Sequence, residues 1–246
     1  MMKIWFRNFL FFKKTFLVSF FWTILEPLMY LGGFGLGFGR YVPPVENLPY
    51  LEFYFSGLLC STIMMVAYFE STYPNFSKLN YQKIYTTLLM TKVDATDIWF
   101  GESLWCTTKG LMSVIGLVVV ASFFGMFSYK IFLLIPVLLL TAWIFSAFGL
   151  IMISIAKSYD TFVYSTSGLI VPLSLFSGTF FSLKDVPETV RTIAYCFPLS
   201  HAVEISRTVL HKEFNSSLLI HFAVLITYAI GLTYLSLRLF KRRLAN

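Results

Sequence analysis

The residues best placed to do chemistry in this sequence are polar groups set inside apolar surroundings. Glu26 lies about halfway along the apolar stretch 16–39, FLVSFFWTILEPLMYLGGFGLGFG. A carboxylate at the centre of hydrocarbon is costly, and such a group faces protein or a water-filled cavity. Pro27 follows it and lacks an N–H, so the preceding helical turn is disturbed. Two readings of Glu26 compete: contact with a passing solute, and a hydrogen bond to a neighbouring helix. His201, His211 and His221 recur at wide spacing, with no Cys or carboxylate constellation to complete a metal centre, and no metal is expected. No GxxxxGK[ST] loop is present to cradle nucleotide phosphates. No serine stands in a G-x-S-x-G elbow with triad partners. The chain therefore reads as a non-enzyme. Cys60, Cys106 and Cys196 are scattered and make no disulfide framework.

The elements that must position these residues are helices in lipid. Six long apolar stretches cover roughly 16–39, 53–74, 103–124, 131–155, 161–182 and 218–238. Each approaches or exceeds the ~20 residues that cross about 30 Å of hydrocarbon as a helix. With 57% hydrophobic and 13% charged residues, the composition lies far from that of a soluble domain. One all-α membrane domain of six transmembrane helices over 1–246 is expected. Of the 19 Lys and Arg, only Arg40, Lys130, Lys184, Arg191, Arg207 and Lys212 fall outside if the N-terminus is placed in the cytoplasm. The remaining basic residues then lie inside, so the positive-inside rule puts both termini in the cytoplasm. The first apolar run is too long for a cleaved signal peptide and lacks a small-x-small cleavage site. The net charge of +7 follows from the same bias, with anionic lipid as its counter-surface and no need of nucleic acid.

Residues 1–14 pattern as a helix with Lys3, Arg7 and Lys14 on one stripe and Trp5, Phe9 and Phe12 opposite. An interfacial helix lying in the headgroup plane competes here with a basic flank that only orients the first span. Gly33/Gly37 and Gly35/Gly39 give two G-x-x-x-G spacings that permit close helix contact. Glu70, near the inner end of span two, can snorkel. The connection 76–102 is too polar to span; a helix is expected over about 79–90, with Asp94 capping the lead-in to span three. In the 79–90 helix Ile84, Leu88 and Leu89 share a face while Gln82, Lys83 and Thr86 remain available. It would either dock a cytoplasmic partner or lie on the membrane. Spans three and four are apolar nearly all round and read as scaffold. Span five is rich in hydroxyls and small residues and should bend at Pro172; it suits an interface, a pathway wall, or simple kinked packing. The outer segment 183–217 should form two short amphipathic helices broken at Pro198, the second capped by Ser200 and running to about His211. Glu204 and Arg207, three apart, are placed to pair. These helices would dip into the outer leaflet or lie on it.

These features together resemble the ABC-2 type permeases, and within them the NodJ-like branch of lipooligosaccharide and polysaccharide exporters. The likeness rests on Glu26-Pro27 with the glycines after it, Tyr54-Phe55-Ser56-Gly57-Leu58, Phe69-Glu70-Ser71-Thr72, Tyr85 to Lys92 and Gly101-Glu102-Ser103-Leu104-Trp105. It continues through Phe176 to Phe181, Pro187, Pro198-Leu199-Ser200-His201 and Arg207, and so covers nearly the whole chain. Lys92 stands where the family commonly has proline. The resemblance implies the ABC-2 (type V exporter) fold: an N-terminal interfacial helix, six spans and two short outer re-entrant helices. It implies a homodimer in the bacterial inner membrane that binds two copies of a cytoplasmic ABC ATPase. This chain would need no cofactor, ATP and Mg being held by the ATPase. The cargo would be amphipathic: a lipid-linked oligosaccharide, a glycolipid or a hydrophobic drug. By the same resemblance the pathway would involve Glu26, Tyr30, Tyr54, Ser167, Pro172, Ser174 and Ser177. ATPase coupling would fall to Tyr81, Lys83, Ile84, Leu88, Leu89 and Lys92. The outer gate would hold Pro198, His201, Glu204 and Arg207. An ion-coupled secondary transporter working through buried carboxylates, and a structural or channel-type membrane protein, are the rival readings.

Overall fold

The computed structural model describes residues 1–17, 21, 25, 28–211 and 215–245. Glu26, Pro27 and Lys212 lie outside the described residues. Among those described, every regular element is helical. The elements are α1 (Met2–Lys14), a wide π-type α2 (Leu31–Gly37), α3 (Tyr50–Phe76), α4 (Ile84–Leu89), α5 (Ala95–Phe123) and α6 (Ile135–Ile155). Helix α7 covers 160–176, followed by α8 (Glu188–Tyr195), α9 (Pro198–His211) and α10 (Ser217–Ala245). Among the described residues, four helical runs are long and apolar enough to cross a membrane: Tyr50–Tyr81, Ala95–Phe123, Tyr129–Ile155 and Ser217–Ala245.

Helix α3 is the axis of the bundle. Of its most apolar stretch 78% is buried, against 11% for α10, so α3 is wrapped by protein and α10 presents most of its surface outward. Helices α5, α6 and α9 pack directly on α3, and α10 is joined to this core through α6. Two indole hydrogen bonds fasten α10: Trp99 Nε1 donates to Ser236 at 2.8 Å and Trp143 Nε1 to Thr233 at 2.9 Å. The 33/37 and 35/39 glycine pairs behave differently. A methyl group on Gly35 would meet Leu51 at 2.6 Å and one on Gly39 would meet Tyr50 at 2.9 Å, whereas Gly33 has nothing within 4 Å. Only the 35/39 face is therefore a packing face on α3.

Several boundaries depart from the sequence reading. Span two does not stop near residue 74. It continues through Pro74 and a wide turn, Ser77–Tyr81, into the polar connection. The helix expected over 79–90 is broken at Lys83, whose φ of +53° takes the chain out of helical geometry, so only Ile84–Leu89 forms α4. Span three begins at Ala95 rather than 103, because the Asp94 side chain caps it through the Asp97 N–H at 2.8 Å. Span five ends at Phe176, where Ser177 leaves the helix and Gly178 turns with φ +84°. The outer helices form on either side of Pro198. Ser200, however, donates to the Ala194 carbonyl of α8 at 2.7 Å and is not a cap of α9.

Gly57 on α3 shows how tightly the outer loop is seated. A methyl group there would lie 2.8 Å from Thr179 Cα, a backbone atom that cannot yield without moving the loop. Gly57→Ala should cost roughly 1–3 kcal/mol of stability. Gly231→Ala, in an open part of α10, should be neutral or gain about 0.5–1 kcal/mol. Thermal unfolding of the two variants in detergent checks this; equal midpoints would contradict the close approach.

Candidate functional site

Two polar assemblies stand at opposite ends of α3. The first is at the end where both ends of the chain lie, and it is built around Glu102 of α5, which is fully buried. Its Oε1 accepts from Arg7 Nη2 at 2.9 Å, and its Oε2 accepts from Asn8 Nδ2 at 2.7 Å and Lys78 Nζ at 2.8 Å. Lys78 also donates to Asn75 at 2.8 Å. One carboxylate thus joins α1, the wide turn after α3, and α5. Gly101 makes this contact sterically feasible, since a methyl group there would meet Ile4 of α1 at 2.7 Å. A second pair stands one helical turn along: Glu70 accepts from Lys109 Nζ at 2.5 Å and from Trp105 Nε1 at 2.8 Å. Glu70, read from sequence as a charge that snorkels, is instead bonded across helices.

Helix α4 reaches this assembly through one residue. Tyr85 is fully buried, edge-on to Phe240 of α10 at 5.9 Å. Burial and then the nearby Glu102 carboxylate push its phenol well above the usual range. Ile84, Leu88 and Leu89 pack partly inward on the same apolar cluster. Lys83, Thr86, Thr87 and Lys92 are exposed. Tyr81, 65% exposed, stacks on Tyr159 of the α6–α7 turn with ring centres 5.7 Å apart.

The second assembly gathers the segment after α7 against the start of α3. Arg207 of α9, only 1% exposed, donates to the Gly178 carbonyl at 2.7 Å and lies 3.7 Å over the Phe53 ring. Ser61 and Thr179 share a hydrogen bond of 2.7 Å, and Ser206 donates to the Ser56 carbonyl at 2.8 Å. The outer turn is tied in by Glu46, which accepts from Ser182 at 2.7 Å and from Lys184 at 2.9 Å. That hydrogen bond to Glu46 holds the Lys184 ammonium above its ordinary range. Arg207, placed by the sequence among the outer basic residues, is thus a buried cation. Pro198 opens α9, which is buried along most of its length and packed on α3, α6 and α10 rather than lying free as a surface hairpin. Glu204 is half-buried on α9.

His201 of α9 and His221 of α10 meet with Nδ1 atoms 2.7 Å apart, and His201 Nε2 lies 2.9 Å from the Tyr195 carbonyl. If His201 gives its Nε2–H to that carbonyl, its neutral ring accepts at Nδ1 from His221. Twenty residues of separation hid this contact from any local pattern. Among the described residues no group of three ligating side chains gathers to hold a metal.

The expected pathway residues divide between two cavities. Tyr30, Tyr54 and Ser174 line one with Ser61, Thr179 and Phe180, between the first apolar segment, α3 and α7. Tyr54 is fully buried and its hydroxyl has no hydrogen-bond partner. Pro172 and Ser177 line the other, a groove of about 200 Å³ shared with Val190, Ile193 and Phe197. Ser167 is exposed and lines neither.

Comparison with known proteins resolves the family. The ABC-2 type transporter family matches residues 1–211. The chain belongs to the ABC-2 type transporter family. Among its relatives, Nodulation protein J of Rhizobium leguminosarum bv. trifolii is 31% identical over 242 residues, covering 98% of this chain and 92% of that protein. Nodulation protein J of Rhizobium meliloti (strain 1021) is 30% identical over 242 residues, with 98% and 92% covered. Inner membrane transport permease YadH of Escherichia coli (strain K12) is 23% identical over 214 residues, with 85% and 83% covered. The chain is accordingly a multi-pass membrane component of a transporter.

Within this ABC-2 chain, sequence reasoning named Glu102, Tyr85 and His221 but gave none of them a place in a site. Glu102 had a local signal: a carboxylate eight residues after a capping Asp, at the mouth of an apolar run. Removing its charge leaves Arg7 and Lys78 uncompensated. Glu102→Gln should cost about 3–5 kcal/mol. Adding Lys78→Met should recover part of that loss, because the stranded cation is gone. A double-mutant cycle on unfolding midpoints measures this; additive losses would show that the two residues do not interact.

Proposed function

We propose that this chain is the permease subunit of an ATP-driven exporter of an amphipathic substrate. The cargo is a lipid-linked oligosaccharide, a glycolipid or a hydrophobic drug, and a separate ABC ATPase supplies the energy. Two copies of the chain form a six-span-per-subunit homodimer in the bacterial inner membrane, with both termini cytoplasmic and two ATPase subunits beneath. ATP and Mg bind in the ATPase.

The observation that carries this reading is the construction of α4. It exposes Lys83, Thr86 and Thr87 on one side while Tyr85 is sunk between Phe240 and the Glu102 assembly. A push on the exposed side is thereby transmitted to α1, α3 and α5 together. The segment suits a subunit that receives force from below. The family membership supports the same reading.

The remaining roles follow from placement. Tyr30, Tyr54 and Ser174 offer aromatic faces and hydroxyls to one cavity, a surface that fits sugar rings or lipid tails. Ser167 and Pro172, on other faces of α7, and Ser177, just past its end, serve the subunit contact or the pathway's flank. The same reading counts Glu26, which lies outside the described residues, among the pathway residues. Pro198, His201, Glu204 and Arg207 hold α8 and α9 as a re-entrant outer gate, which stays shut while Arg207 is bonded to Gly178. Among the described residues, Glu70 and Glu102 are each held in ion pairs with lysine or arginine, an arrangement that suits structural anchoring.

Because Leu88 packs inward, the contact with the ATPase is best tested at exposed positions. Lys83→Glu combined with Thr86→Trp should leave the unfolding midpoint of the permease almost unchanged, as exposed substitutions usually do. Copurification of the ATPase subunit and ATP-dependent uptake of labelled cargo into inverted vesicles should both fall at least about ten-fold, a loss of roughly 1.4 kcal/mol. Wild-type copurification by this variant would remove α4 as the coupling element.

A further inference from the structure

Beside the Glu102 assembly, α1, α3 and α5 enclose a cavity of about 420 Å³, large enough for a lipid headgroup. Arg7, Lys78 and Lys109 line it. Two carboxylates answer them: Glu70 in the cavity wall, and Glu102 buried behind it. Three cations against two carboxylates leave one positive charge over. Arg7 also carries a buried nitrogen, Nη1, with no hydrogen-bond partner. An uncompensated charge in a partly desolvated site is costly, so the cavity is built to take a monoanion.

The rim says which kind of anion. Phe11, Phe12 and Trp105 also line the cavity, and Phe11 is 69% exposed beside Leu10 at 44%. A free phosphate has no use for such a wall, whereas an acyl chain does. Helix α1 is amphipathic and ends in Lys13 and Lys14. That is the composition of a helix lying where headgroups meet acyl chains. We propose that this cavity binds the phosphodiester of one resident anionic phospholipid, with Arg7 and Lys109 facing the phosphate and the tails running along Phe11 and Leu10. The lipid neutralises the surplus charge and joins α1 to α3 and α5 from the membrane side. This site is separate from the transported cargo and does not rest on the export reading.

Gln82 provides a test that leaves the ion pairs alone, since it lines the cavity and is exposed. Full-length protein would be purified from membranes of equal phosphatidylglycerol and phosphatidylcholine, and the retained lipid counted by native mass spectrometry. The wild type should hold one phosphatidylglycerol per chain, preferred about five-fold, the factor that one charge near an anionic surface is worth. Gln82→Glu cancels the surplus charge and should bring retention to parity. Lys13→Gln, an equal change of charge on an exposed residue outside the cavity, should leave the preference in place. No preference in the wild type, or an unchanged preference in Gln82→Glu, would overturn the proposal. So would displacement of the lipid by millimolar inorganic phosphate, which would make the cavity a site for free anions.

Discussion

The buried carboxylate of Glu102 constrains everything at its end of the molecule. A charge with no exposed surface is tolerable only when its oxygens are fully bonded, and here Arg7, Asn8 and Lys78 do this. Those partners come from two stretches of chain far from Glu102 in sequence, α1 and the wide turn after α3. The position of α1 is therefore set by an electrostatic requirement as much as by its apolar face. Ile4 and Phe12, with Asn8 between them, form the buried stripe of α1, so the polar contact is flanked by apolar ones. The same requirement explains why α3 continues past Pro74. Stopping at the membrane edge would leave Lys78 unable to reach the carboxylate.

The opposite end of α3 uses a different solution. There the buried charge is a cation, and Arg207 is met by a backbone carbonyl and an aromatic face. A guanidinium tolerates this because its charge is delocalised and weakly hydrated, and because a ring face attracts it. The carbonyl belongs to Gly178, whose positive φ aims the chain inward, and the next residue sits against Gly57. A loop that would otherwise be a surface excursion is thus drawn into the bundle. Helix α3 links both assemblies, with Asn75 serving one end and Phe53 to Ser61 the other.

Much of this was legible in the sequence because membrane helices announce themselves by length and hydropathy. The long helices, the Asp94 cap and the break near Pro198 all follow from local rules that act over a few residues. Tyr85 and Glu102 did not, because their importance comes from partners far away in sequence. Periodicity placed Ile84, Leu88 and Leu89 on one face, yet Tyr85, the most buried residue of α4, lies between them in sequence. A hydroxyl-bearing aromatic is common on surfaces, and nothing local distinguishes this one. The His201–His221 contact is similar: regular spacing suggested coincidence, while the fold of α9 against α10 brought two of the three rings together. The burial of Arg207 was not legible because nothing local marks a basic residue between spans as turned away from water.

The wide turns of the helices gather where proline and glycine occur, and this is a matter of backbone hydrogen bonds. Pro172 has no N–H to offer the carbonyl four residues back, at Gly168, and Gly168 lies inside the wide turn Thr166–Ile170. Widening the helix there re-routes the ladder around the missing donor, so the helix passes through the proline instead of ending at it. Pro74 raises the same problem on α3, and a wide turn comes after it at Ser77–Tyr81, placing Lys78 toward Glu102. In the first apolar segment the wide helix Leu31–Gly37 coincides with the glycines that let it lie against Leu51 and Tyr54. In each case a residue that weakens the regular helix permits a geometry that a regular helix lacks. Two of the polar contacts that distinguish α3 and α7 from plain membrane scaffold lie next to these places. Tyr68 on α3 bonds to Ser165, immediately before the wide turn of α7, and Lys78 sits inside that of α3. Local loss of helical regularity thus accompanies the Lys78 and Ser165 contacts, while Ser61 and Glu70 make theirs from the regular part of α3.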